Sequence, residues 1–384
     1  MKVLIMPCGI GMGHVSRCVT IAQKLQEEDI EIAFASYGSG YDMLNAYHEY
    51  QIFKLPDIKF YGVEGELDIK YTAKKSINAP IIFLKSIYHE SKIIKKFKPD
   101  IVLADSHFSV PITAKLFGVP CIMIQNELTL NFSDLYPQEK TVEYLENGLK
   151  KFVKDVCKLS NVIMVPDLPG STEIPIKLNE KVVHTGPFLR NNPQKMLCKG
   201  DLRRKLGFEN SEKIVLVTVG GSNFGIELLK IICDASSMLD CDRLIIVTGP
   251  TIEADFIQES HKIIKKKFLD NMMEWMKISD VIVSLAGHNT IMEVISLGIP
   301  NIIVPIDNHP EQIKNAMNIE RYGISIIEDI KKISPKQIAE DINMLINDLS
   351  ILERSEIVRE MFSKYNGTSD ALDIIRSQAK IVSK

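Results

Sequence analysis

The chain opens a structural unit in the same way twice. At Val3 it reads VLIMPCGIGMGHVSRCVTIAQKL and at Ile214 IVLVTVGGSNFGIELLKIICDA: an apolar run, a glycine turn, then helical spacing. A strand that feeds a glycine turn and a helix is the opening unit of a parallel sheet with helical crossovers, so few folds are open to such a chain. The alternation continues. Short apolar runs at 3–6, 31–36, 101–104, 121–124 and 162–165 predict strands in the first half, and 214–218, 244–248, 281–284 and 301–304 in the second. Helical periodicity lies between them, as in 15–26, where Val19, Ala22 and Leu25 share a face. Residues 166–207 carry five prolines and little periodicity, and are expected to connect the halves. The expected division is 1–185, 186–365 and a C-terminal helix at 366–384. This is an α/β architecture of two doubly wound, Rossmann-like domains.

At 384 residues, two domains are the natural expectation. A net charge of −3 gives no sign of a nucleic-acid partner, because a phosphate-binding surface would normally make the domain basic. No apolar run approaches the ~18 residues that span a bilayer. The first apolar stretch is broken by Gly9, Gly11, Gly13 and His14 and lacks a signal-peptide cleavage pattern, so a cytoplasmic protein is expected. Seven cysteines without a CxxC pair suit reduced packing residues better than disulfides or a zinc site; no metal site and no cofactor are expected.

Open parallel sheets bind ligands where their strands end and helices begin, so the turns carry the chemistry. In the first turn, Gly11 and Gly13 allow a close backbone approach, and His14 stands where a neutral imidazole can accept a proton. His14 capping the helix is an equal alternative. In the second turn, Gly220, Gly221, Ser222 and Asn223 direct several donors to one point ahead of a helix, a phosphate cradle. The third region, 279–316, is the most informative. Gly287, His288, Asn289 and Thr290 open a helix whose amides suit a diphosphate; Glu293 lies one turn on, placed to grip ribose hydroxyls. Glu311 and Gln312 follow the next strand and suit the hydroxyls of a sugar. Simple capping explains each residue singly but not the series. Asp240-Cys241-Asp242 resembles a metal-binding acidic triplet, but it precedes a strand and is expected to be a surface loop.

On these residues the sequence resembles the glycosyltransferase family of the peptidoglycan N-acetylglucosaminyltransferase that completes lipid II, over nearly its whole length. The matching positions are Gly11, Gly13 and His14; Gly220, Gly221 and Ser222; Glu293; and Glu311 and Gln312. Arg190 in TGPFLR matches a linker arginine near the nucleotide phosphates. Plant secondary-metabolite transferases share Gly287, Asn289, Thr290, Glu293 and Gln312. The resemblance implies a GT-B fold, its two domains facing across a cleft, and a UDP-sugar donor with uracil held near Phe268 and Leu269. It also implies metal-independent, inverting transfer of a hexose or N-acetylhexosamine to an acceptor hydroxyl, with His14 as base and Asp105 orienting it. The sequence departs from the pattern at three places. Ser16 and Arg17 stand where a proline is usual. Leu285 replaces a phosphate-binding histidine, with His288 nearby. Glu311 replaces a glutamine, which leaves the sugar open.

The stretch 81–98, IIFLKSIYHESKIIKKFK, is basic and amphipathic. It suits either a core-packed helix with solvated lysines or one resting on an anionic membrane near a lipid-linked acceptor, which would put the protein on the inner face. KIIKKK from Lys262 is open to the same two readings. The acceptor is unknown. Two rival functions remain: a UDP-GlcNAc 2-epimerase, whose cleft acids would be Asp105 and Glu127, and a non-catalytic nucleotide-sugar-binding module.

Overall fold

A computed structural model of the chain describes residues 1–10, 12–57, 62–63, 66–67, 79–129, 140–221 and 223–382. Two compact units emerge: the chain leaves the first after Leu189 and returns to it at Tyr365.

In the first unit, among the described residues, seven strands form one parallel sheet. They are β1 (Lys2–Pro7), β2 (Glu31–Ser36), β3 (Gln51–Lys54), β4 (Ile101–Asp105), β5 (Cys121–Ile124), β6 (Val162–Val165) and β7 (Val182–His184), in the order β3-β2-β1-β4-β5-β6-β7. The central strands are largely apolar because helices cover both faces. On one face the helix Gly13–Gln26 buries Val15, Cys18, Val19, Ala22 and Leu25. Ala371, Leu372 and Ile375 of the C-terminal helix Gly367–Val382 join that core, so this helix belongs to the first unit. On the other face Ile93, Ile94 and Phe97, from the end of the helix Ala79–Phe97, pack on Leu4, Met6, Val102 and Ala104. Full burial of each such side chain stabilises by about 1.5–3 kcal/mol, which anchors this half of the helix.

The second unit repeats the scheme with β8 (Ile214–Thr218), β9 (Arg243–Val247), β10 (Ile263–Lys266), β11 (Val281–Leu285), β12 (Asn301–Val304) and β13 (Ser325–Ile327), ordered β10-β9-β8-β11-β12-β13 and all parallel. In both sheets the strand order reverses beside the first strand, between β1 and β4 and between β8 and β11. Those are the switch points where a crevice opens at the strand ends.

Three expectations need correction. Residues 166–207 are not a bare connection: they hold a 3-10 turn at Ile176–Lys181, strand β7, and the helix Lys199–Leu206. KIIKKK is no helix; its residues build the edge strand β10, and Lys262 Nζ donates to the Leu239 carbonyl at 2.8 Å. The stretch 81–98 divides its behaviour. Its last third is core, whereas Ile81, Leu84 and Tyr88 stay 55%, 65% and 58% exposed. Asp240 and Asp242 lie exposed ahead of β9, as a surface loop should.

Candidate active site

At the switch point of the first sheet, the ends of β1 and β4 are tied by the Cys8 amide donating to the Asp105 carbonyl at 2.8 Å. The loop after β1 turns tightly because Gly9 sits against Tyr37: a Cβ there would lie 1.9 Å from the Tyr37 carbonyl oxygen. The helix Gly13–Gln26 then starts with no side chain capping it, and Gly13 is exposed. Gly11 lies outside the described residues.

The structure brings His14 and Asp105 together. His14 Nδ1 is 2.8 Å from Asp105 Oδ1, with His14 19% exposed and Asp105 fully buried. The predicted capping role for His14 is therefore not the one seen. Arg17, three residues along the same helix face, is 2% exposed. Its Nε donates to Asp105 Oδ2 at 2.5 Å, its Nη2 donates to Oδ1, and its Nη1 donates to Asn126 Oδ1 at 2.5 Å. Burial alone would push the Asp105 carboxyl up; Arg17 and His14 outweigh it and hold the group well below the usual carboxylate range. An ionised Asp105 only accepts, so the proton shared with Oδ1 is on His14 Nδ1. Ser106, next after Asp105, takes a left-handed φ of +49°, unusual for serine and typical of strained functional loops.

Arg17 and Asn126 were missed from the sequence. The available signal was an arginine on the helix face whose neighbours, Val15, Cys18 and Ala22, are apolar. Glu127, one of the two acids an epimerase would need, accepts from Thr129 Oγ1 at 3.0 Å and Thr172 Oγ1 at 2.7 Å. With Asp105 bound to Arg17, both candidate acids are engaged in holding the fold of their loops.

The switch point of the second sheet has a different character. After β8, Gly220 adopts φ +72° and Gly249, from the next crossover, packs on its carbonyl, where a Cβ would meet the oxygen at 2.0 Å. The Gly221 carbonyl accepts from Thr251 Oγ1 at 3.2 Å; Asn223 is exposed and opens a 3-10 turn before the helix Ile226–Ala235. Ser222 lies outside the described residues. After β11, Gly287 is the N-cap of the helix His288–Ser296, again with no capping side chain. His288, Asn289 and Thr290 form its half-buried first turn. A helix N-terminus carries a partial positive charge and amide donors that favour an anion.

Glu293, one turn on, is 2% exposed and gripped by Arg190: Nε donates to Oε1 at 2.6 Å and Nη2 to Oε2. The two residues assigned to ribose and phosphate are thus brought together, with the glutamate occupied by the arginine. Phe268, 71% exposed, and buried Leu269 follow the end of β10. Glu311 and Gln312 lie in the first turn of the helix Pro310–Glu320; Gln312 Oε1 accepts from the Ile306 amide at 3.0 Å, which closes the loop after β12. Apart from Arg190, which follows β7, every predicted donor residue described in this unit falls on a strand-end loop of the second sheet or on the helix that loop leads into. Among the described residues, no three His, Cys, Asp or Glu side chains are grouped to hold a metal ion.

Residues 1–192 match the family described as Glycosyl transferase family 1, and residues 214–366 match the Glycosyltransferase family 28 C-terminal domain. An uncharacterized glycosyltransferase of Methanopyrus kandleri is 27% identical over 328 residues, covering 85% of this chain and 92% of its own. The UDP-N-acetylglucosamine--N-acetylmuramyl-(pentapeptide) pyrophosphoryl-undecaprenol N-acetylglucosamine transferase of Clostridium tetani is 25% identical over 390 residues, covering 97% of each. Among solved structures, the calicheamicin glycosyltransferase CalG4 superposes with a TM-score of 0.74 at 14% identity, covering 100% of both chains.

Proposed function

Because this chain belongs to glycosyl transferase family 1 and has the GT-B glycosyltransferase fold, we propose that it moves a hexose or N-acetylhexosamine from a UDP-sugar to an acceptor hydroxyl, with inversion. The observation that carries the reading is the glycine N-cap of the helix at Gly287 with the Arg190–Glu293 pair one turn away. The diphosphate docks on the amides of His288, Asn289 and Thr290, assisted by the glycine turn at Gly221 and Asn223. Donor binding exchanges the ion pair. Arg190 leaves Glu293 for the phosphates, and Glu293 accepts the hydroxyls of the ribose. Uracil lies by Phe268 and Leu269, and Glu311 and Gln312 face the sugar.

His14 Nε2 takes the proton of the acceptor hydroxyl as its oxygen attacks the anomeric carbon, and Asp105 steadies the imidazolium that forms. The bond to the diphosphate breaks on the opposite side. Its growing negative charge is met by the Gly287 helix terminus and by Arg190, with no metal ion required.

The acceptor side is the first unit. Ile81, Leu84 and Tyr88 on one helix, and Tyr144, Leu149 and Phe152 on the helix Lys140–Cys157, are exposed, and the Phe83 and Phe152 rings meet at 5.7 Å. Lys150, Lys151 and Lys154 line a hollow with Leu128 beside Asn147. Apolar side chains among lysines suit an anionic lipid surface, so the acceptor is lipid-linked and the enzyme works as a peripheral membrane protein on the cytoplasmic side. No helix among the described residues is long and apolar enough to cross a membrane.

A thermal-shift series across nucleotide sugars tests the donor. A ligand at a hundred times its Kd adds about 2.7 kcal/mol of stability, so UDP and one UDP-sugar should raise Tm where ADP- and GDP-sugars do not. No rise with any uridine nucleotide contradicts the assignment. Incubating UDP-GlcNAc without acceptor should leave its C2 configuration intact.

A further inference from the structure

The buried arginine beside the His14–Asp105 pair has no counterpart in the sequence resemblance, which sets a proline near this position. Its ion pair with Asp105 is almost fully removed from water, Arg17 being 2% exposed and Asp105 fully buried. Such pairs add little net stability, because desolvating both charges offsets most of their attraction. What the pair provides is geometry. The guanidinium is a planar fork, and here it holds both oxygens of one carboxylate while a third N–H is held by Asn126. The carboxylate cannot rotate, so Oδ1 stays directed at His14 Nδ1. Arg17 Nη2 also lies 3.1 Å from that nitrogen, and both groups reach Asp105 Oδ1.

We propose that Arg17 is a positioning residue for the transfer reaction, locking Asp105 so that His14 presents Nε2 as its basic atom and cancelling the buried anion that would otherwise bind a second proton to the imidazole. The inference rests on the reading of His14 as the base. The other groups around the pair do not supply this balance. Cys18 Sγ, 3.5 Å from Asp105 Oδ2, is a thiol whose pKa burial raises well above normal. His107, two residues beyond Asp105, is pushed down to about 4 by burial and is neutral. Glu127, beside Asn126, accepts from two threonine hydroxyls. Arg17 is the cation in direct contact with Asp105.

The test is nitrogen-15 NMR of histidine-labelled protein, which reads tautomer and titration without any substrate. In the wild type at pH 7.5, His14 should show a protonated Nδ1 and a bare Nε2. In Arg17→Met its pKa should rise by about one unit or more, as expected when a buried carboxylate loses its cation. Arg17→Lys should restore part of the shift, and Arg17→Met combined with Asp105→Asn should abolish it. The acid limb of UDP release from UDP-GlcNAc, with water as acceptor, should move to higher pH in Arg17→Met, whereas a purely structural role lowers the rate equally at all pH. An Nε2–H tautomer in the wild type, or an unshifted His14 in a folded Arg17 variant, overturns the proposal. Correct NMR behaviour with no turnover of any UDP-sugar would instead refute the glycosyltransfer reading and leave the positioning intact.

Discussion

The two units share one strand order and one switch point, yet they fill that point in opposite ways. In the first, side chains occupy it: Arg17, Asp105, His14 and Asn126 form a buried, charge-compensated cluster with one imidazole edge exposed. In the second, backbone occupies it: Gly220, Gly221 and Gly287 bring no side chain of their own, and the ion pair of Arg190 with Glu293 sits one turn away. A proton acceptor has to be a titratable side chain, and its direction must be fixed by neighbours. A diphosphate is best met by many fixed dipoles, and side chains would obstruct them. One topology therefore presents side chains at one switch point and backbone at the other.

Breaking the first site should have the largest effect. His14→Ala should lower kcat by about 10²–10⁴-fold with UDP affinity unchanged, the span typical of a lost general base. Steady-state kinetics with calorimetric UDP binding checks both halves. Next is Asp105→Ala, which leaves Arg17 buried without its anion and should cost about 3–5 kcal/mol of stability in urea unfolding. The pH dependence has a definite sign. Since the folded Asp105 is more acidic than the unfolded group at about 3.9, its contribution is complete above that pH and is lost as pH falls below it. Asp105→Asn should remove that portion of the acid sensitivity.

The second site should respond in binding rather than in turnover of bound substrate. Glu293→Ala should weaken UDP binding by about 10–100-fold, the loss of hydrogen bonds to a charged group. The smallest expected effect separates ligand glycines from packing glycines. A Cβ on Gly287 meets nothing within 4 Å, and its φ of −71° suits any residue, so Gly287→Ala should leave stability within about 0.5 kcal/mol while weakening UDP binding. Gly225→Ala puts a Cβ 2.2 Å from that of Val219 and should destabilise by about 1–3 kcal/mol. If both variants bind UDP as the wild type does, the backbone side of the comparison fails.

The central strands were legible because burial on both faces makes them largely apolar runs; 31–36, 121–124, 162–165, 214–218 and 301–304 match residue for residue. The edge strands β3, β7, β10 and β13 were not. Each is three or four residues long, and QIFK, VVH and IIKK carry too few apolar positions to stand out from loop. Lysine-rich β10 is typical of an edge that avoids pairing with another chain, which is why its sequence resembled a basic helix. At the site, His14 and Asp105 lie 91 positions apart and were paired only through family resemblance. Arg17 was visible as a departure, but nothing local announces that a helical arginine will be buried against a strand end. The Arg190–Glu293 contact also joins distant positions, and the sequence suggested separate roles for its members.

A crystal structure of the protein with bound UDP tests the central claim most directly. The account predicts β-phosphate oxygens within hydrogen-bond reach of the His288–Thr290 amides, with the Glu293 carboxylate on the ribose and Arg190 swung off it. UDP bound elsewhere, or the Arg190–Glu293 pair intact beneath the nucleotide, would contradict it.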